Sequence, residues 1–263
     1  MATFNYEHHF TAKWLLLLGV WLAAGFAAAA DGTTNNFAAQ TEAEFHRAQK
    51  QFQSNTNDVT AAWQFARASF DFADFATNGA ERAAIARQGI AACRQAIARA
   101  SNSAPAHYYL GLNQGQLARA ETLGALRLVR QMEREFKTAA GLDGGFDYAG
   151  PERSLGLLYR DAPGWPTSIG SRRKALEWLK KAEEIAPAFP ENHLNLLESY
   201  LQWHEPAGAK RELQELDALW PAARTNLARP KWDQSWADWS ARRDAARKRL
   251  DETSKAEQSK NGH

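Results

Sequence analysis

The sequence contains one cysteine, Cys93, so no disulfide can form within the chain. It also lacks a strong excess of either charge. Lys and Arg number 32 against 30 Asp and Glu, a formal net charge of +2, and nothing in that balance points to nucleic acid. Catalytic signatures are missing too. There is no Gly-x-Ser-x-Gly elbow and no His-Glu-x-x-His helix. His46, His107, His193, His204 and His263 include no pair four apart, and with a lone cysteine they make no recognisable zinc site. Carboxylate pairs such as Glu183-Glu184 lie on amphipathic stretches, where a solvated face explains them. The expectation is a protein that is not an enzyme, with no cofactor, no metal and no catalytic residue.

Apolar residues are plentiful enough, at 44%, for a continuous core, and ten Trp and thirteen Phe are many for 263 residues. The long apolar run is Trp14 to Phe26, preceded by Lys13 and followed by small residues at Ala27 to Ala30. That order reads as a signal peptide cut after Ala30. The rival is an uncleaved anchor, and Trp14 to Ala30 is short for a span. No cysteine lies near the cut, so a lipid anchor is not indicated. The mature chain is therefore expected in the periplasm or secreted, with no stable membrane span after cleavage.

The rest is organised by repetition. Ala175, Leu179, Ala182 and Pro187 stand four, three and five residues apart, and Ala209, Leu213, Leu216 and Pro221 repeat that spacing 34 residues later. Leu196, Leu197 and Tyr200 form the stripe of an intervening helix. Cys93, Ile97, Ala100 and Pro105 carry the same spacing, which makes Cys93 a small buried residue of a repeat helix. This resembles the tetratricopeptide repeat (TPR), a helix-turn-helix unit with a period of about 34 residues. The likeness implies an all-α, right-handed superhelix of TPR-like hairpins, with proline closing second helices.

The chain then divides into a signal peptide at 1–30, a tail and first helix at 31–57, a repeat array at 58–221, a capping helix at 222–250 and a charged flexible tail at 251–263. Helices are expected over Phe37 to Phe52, from Val59 to about Ala76, and on to Ala100 after the Asn78-Gly79 break. The polar run Asp31 to Asn36 reads as flexible. Leu110-Gly111 and Leu155-Gly156 mark close helix crossings, with Met132, Phe136 and Ala139 facing the first. Gly141 to Pro151 reads as a turn rather than a phosphate cradle, since no strand precedes it and no Gly-Lys-Ser/Thr follows. Asp161 to Ser171 is longer than a repeat turn needs and centres on Trp165, which points to function. Trp232, Trp236 and Trp239 share a face that either caps the array or forms an aromatic binding patch.

A narrower resemblance lies in Asp147-Tyr148-Ala149-Gly150-Pro151-Glu152-Arg153, Leu155-Gly156, Ala162-Pro163, Gly170, and Ala182 to Pro187. These residues are similar to the TRAP transporter T-component family of periplasmic helical-repeat proteins. That likeness implies a repeat ring or trimer with a cleft for an apolar or organic-acid ligand, and transporter subunits as partners. In TPR arrays first helices line the concave side, which puts Tyr108, Leu112, Arg153, Leu157, Leu194 and Glu198 in the groove, with Arg160 one turn on and Trp165 beside them. Arg153 and Arg160 would grip a carboxylate together, or else pair with Glu152, Asp161 or groove acids. The partners expected are a protein or a small organic ligand, with self-association as a further candidate and nucleic acid excluded.

Overall fold

The structure, a computed structural model, describes residues 32–121 and 124–261, so the expected signal peptide lies outside the described residues. Among them the chain is all-helical. Ten α-helices run in order: α1 Gly32–Ser54, α2 Val59–Ala73, α3 Gly79–Arg99, α4 Ala104–Ala120, α5 Ala125–Leu142, α6 Phe146–Asp161, α7 Arg172–Ile185, α8 Pro190–Gln202, α9 Pro206–Asn226 and α10 Asp233–Asn261. A short 3-10 turn, Pro230–Trp232, precedes α10. No described helix is long and apolar enough to cross a membrane. The helices gather into two compact units, one comprising α1 to α5 with the Asp161–Ser171 loop, the other Asp147–Arg160 with α7 to α10.

In the first unit α2 packs on α1, α3 and α4, while α4 packs on α3 and α5. Side-chain caps begin three of these helices where the sequence puts Asp, Asn or Ser. Asp58 accepts from the backbone of Thr60 at 2.8 Å, Asn78 from Glu81 at 2.9 Å, and Ser103 from Ala106 at 3.4 Å. Apolar faces are buried at Phe45, Ala48 and Phe52 on α1, at Ala66, Phe70 and Ala73 on α2, and at Met132, Phe136 and Ala139 on α5, while Trp63, on the same face of α2, is only partly buried. Cys93 is fully buried, and burial first, then the nearby Glu135 carboxylate, pushes its thiol well above the usual range. Gly111 crosses α5 so closely that a Cβ would stand 2.5 Å from the Phe136 ring. Helix α1 starts at Gly32, so the polar run read as flexible is helical over its described part, Gly32 to Asn36. Thr and Asn there are weak helix formers rather than breakers, and Gln40 donates to Asn36 along the first turns at 3.2 Å.

The second unit begins with a backbone feature that no spacing rule reveals. Asp147, Tyr148 and Ala149 are all left-handed, with φ of 52°, 53° and 63°. None is glycine, and each costs on the order of 1–2 kcal/mol against the right-handed form. The turn is held from inside by Arg153, whose guanidinium donates to the Tyr148 carbonyl at 3.0 Å, the Asp147 carbonyl at 3.3 Å and Asn192 Oδ1 at 3.1 Å. Asn192 in turn donates to the carbonyls of Tyr148, Ala182 and Ala186. Tyr148 stacks on Phe189 at 4.3 Å. Thus Gly141 to Pro151 does contain the inter-helix turn, closed by a buried arginine.

Ala175, Leu179 and Ala182 of α7, and Ala209 and Leu216 of α9, are buried as the repeat spacing requires. Two expectations for the C-terminal region need correction. Pro221 does not close α9, which continues to Asn226 with the proline inside it. The lost hydrogen bond is offset by packing on either side, with Trp220 edge-on to Trp236 at 5.1 Å and Ala223 in the core. Beyond residue 250 the described residues are helical rather than an irregular tail, because α10 runs to Asn261. Its Ala, Glu, Lys and Gln residues have high intrinsic helix propensity. Trp232, Trp236 and Trp239 are buried around Phe189 and Tyr148, so they form a core rather than an exposed aromatic patch.

Candidate functional site

The residues expected to line a groove are mostly spent on the fold. Tyr108 and Leu112 are buried, with Tyr108 edge-on to Phe146 at 5.6 Å. Leu157 and Leu194 are buried as well. Arg153 is 0% exposed and clamps the left-handed turn, while Arg160 donates to Ser199 at 3.3 Å, so the two guanidinium groups do not meet over one ligand. Glu198 faces α10, where Arg242 donates to both its oxygens at 2.7 and 2.9 Å and to Asn195 at 2.8 Å. Burial raises the Glu198 carboxyl, but Arg242 outweighs it and leaves the group below its ordinary value. The inner face of α8 is therefore covered by the chain's own last helix.

Trp165 is the exception, at 89% exposed. Its loop is held by hydrogen bonds of its own backbone. Gly170 donates to the Pro163 carbonyl at 2.9 Å, Thr167 and Ser168 both donate to Gly164, and a Cβ on Gly170 would collide with backbone atoms of Ala162 and Pro163. The loop's Thr167 and the α5 residues Leu126, Arg127, Arg130, Gln131 and Arg134 line a depression of about 320 Å³. The apolar stripe Leu128, Val129, Met132 and Phe136 turns inward, which forces Arg127, Arg130 and Arg134 outward. None of the three arginines forms an ion pair with a described residue. The acids of this helix that flank Arg134 are engaged elsewhere, Glu133 with Lys137 at 2.7 Å and Glu135 with His107 at 2.7 Å. Three guanidinium groups along one exposed face, with apolar Leu126 and a loop donor beside them, suit a carboxylate-rich partner. Sequence reading missed them because Arg127, Arg130 and Arg134 look like an ordinary solvated face. The signal was their spacing of three and four residues without an acidic residue at i+4.

A second cluster was invisible to spacing rules. Glu183 of α7, His193 of α8 and Glu212 and Glu215 of α9 bring four potential ligand atoms within 4.8 Å of one another. Burial, then the Glu212 carboxylate, pushes Glu183 up to about 7. Burial opposes charge on His193, but the Glu212 carboxylate, the Pro187 carbonyl and Glu183 outweigh it and raise the imidazole.

The fold is that of the TPR-like helical repeat proteins. A thermophilic TPR protein from Thermus thermophilus matches with TM-score 0.57 and 18% identity, over 82% of this chain and 94% of its own. MamA matches with TM-score 0.50 and 14% identity, over 78% of this chain and 99% of its own. The model of the family "regulator of microtubule dynamics protein 1-3" matches residues 26–137, less than half of the chain. No curated protein matches in sequence.

Proposed function

We propose that the chain is an exported, non-catalytic TPR-like scaffold that holds an acidic segment of a protein partner along Arg127, Arg130 and Arg134. The observation that carries this reading is the row of exposed arginines without acidic partners among the described residues, beside Leu126, Thr167 and the Trp165 loop. Arginine clusters are a recurrent means of gripping acidic motifs, and an exposed Trp adds an anchor of the kind that dominates interfaces. The matched family is named for regulating microtubule dynamics, which supports a protein partner over a small molecule. Export rests on Lys13, the Trp14 to Phe26 run and Ala27 to Ala30. The test is anisotropy of a labelled short Glu/Asp-rich peptide. Wild-type binding should weaken with salt and fall about tenfold or more in Arg130→Glu/Arg134→Glu. Salt-insensitive binding that survives the charge reversal would remove α5 from the site.

A second reading, a T-component-like protein serving a periplasmic uptake system, rests on the motif Asp147 to Arg153. Those residues build the clamped turn. Native mass spectrometry decides between the readings: a co-purifying organic acid or lipid would favour the second.

A further inference from the structure

His193 is anchored by its Nε2 hydrogen, which must donate to the Pro187 carbonyl at 2.8 Å because that oxygen only accepts. Nδ1 is thus the open nitrogen. It points at three carboxylates, 3.5 Å from Glu183, 3.6 Å from Glu212 and 3.9 Å from Glu215. His193 and Glu212 are 4% and 2% exposed, and both His193 Nδ1 and Glu212 Oε2 are buried without a hydrogen-bond partner. Glu212 Oε1 is fixed separately by Arg211 at 3.2 Å, which leaves Oε2 turned to the centre. Glu212 and Glu215 lie one helical turn apart on the same face. Glu215, at 46% side-chain exposure, opens the cluster to solvent.

An internal control sharpens the meaning of these distances. His107 uses the same clasp, with Nε2 3.0 Å from the Ser101 carbonyl, also six residues back. Its Nδ1 faces one carboxylate, Glu135, and closes to 2.7 Å. A histidine that needs only a proton partner makes a short bond of that kind. At His193 there are three carboxylates instead of one, and none closes. They stand 3.5, 3.6 and 3.9 Å from Nδ1, with all four ligand atoms within 4.8 Å of one another, against tetrahedron edges of about 3.3–3.6 Å for metal–ligand bonds of zinc length. Octahedral magnesium would draw neighbouring ligands to about 2.9 Å. An imidazole among the donors also favours zinc over magnesium or calcium.

We propose that Glu183, His193, Glu212 and Glu215 form a binding site for a zinc-class divalent cation that staples α7, α8 and α9 together. The Pro187 carbonyl and Arg211 are the outer partners that orient its imidazole and carboxylate donors. The site adds nothing to acid–base or redox chemistry; it makes the stability of this hairpin set depend on metal.

The test uses the purified chain stripped with chelator and titrated with zinc, magnesium or calcium alone, with calorimetry and thermal melting as readouts. Zinc should bind one per chain and raise the melting temperature, and magnesium and calcium should not. Glu215→Gln, at an exposed position that folding tolerates, and His193→Asn should each weaken zinc about tenfold or more, with His107→Asn unchanged in affinity. Cobalt(II) should give the intense visible bands of a four-coordinate site in the wild type and His107→Asn, and not in Glu215→Gln or His193→Asn. Equal zinc affinity in wild type and Glu215→Gln, or equal response to magnesium, would overturn the assignment.

Discussion

At the residue scale, glycine decides how closely two helices approach. A Cβ on Gly156 would stand 2.5 Å from Leu179 Cγ and 3.0 Å from its backbone nitrogen, so the neighbour cannot simply rotate away. Gly156→Ala is expected to destabilise the chain by about 1–3 kcal/mol, read as a lower urea midpoint. Gly141→Ala, with nothing within 4 Å of the new carbon, should be neutral or slightly stabilising. An equal loss at both positions would refute the close crossing. This contact was legible beforehand, because Leu155-Gly156 pairs with the Ala175, Leu179, Ala182 spacing and packing leaves a periodic trace. Arg153 was not legible. A buried arginine bonded to the backbone of a left-handed turn looks, in sequence, like any arginine on a polar helix face. Only the fold shows that its donors go to Asp147 and Tyr148.

At the element scale, α10 is the piece whose role changes most between sequence and structure. Its Trp face announced a cap, and Trp232, Trp236 and Trp239 are indeed core residues. Its charged second half read as a flexible tail, because mixed charges fit a tail and a solvated helix equally well. The ion pairs of α10 carry a pH signature. Burial opposes charge on Glu198, yet Arg242 holds the carboxyl below its ordinary value. Its contribution is complete above the unfolded pKa of about 4.3 and is lost as pH falls through the lower folded value. Glu198→Gln should therefore lower stability at neutral pH and flatten its decline in acid, as measured by urea melts across pH 3 to 7. A decline as steep as that of the wild type would show that the pair is not coupled to folding. Arg242→Ala should cost more than Glu198→Gln, on the order of 3 kcal/mol, because it strands Glu198 and Glu191 together.

At the scale of the whole molecule, the repeat period gave the fold class, since buried helix faces must recur for hairpins to stack. The site was far less legible. Positions assigned to an open face from the repeat alone turned out to be covered: Tyr108 by Phe146, and Glu198 by Arg242 of α10. A repeat rule fixes which way a side chain points and says nothing of what a later segment lays over it. The acids that join His193 come from two other helices, a distance in sequence that no motif spans. The functional account accordingly rests on α5 and the loop that carries Trp165, not on the inner helix faces.

The most direct measurement is a side-by-side titration of one Glu/Asp-rich peptide against two folded variants, with circular dichroism confirming helix content. Arg127→Glu/Arg130→Glu/Arg134→Glu reverses the outer row, and Arg160→Ala removes a partly exposed arginine of the inner face. The account predicts loss of binding in the first and wild-type affinity in the second. Retained binding in the first, with loss in the second, would contradict it.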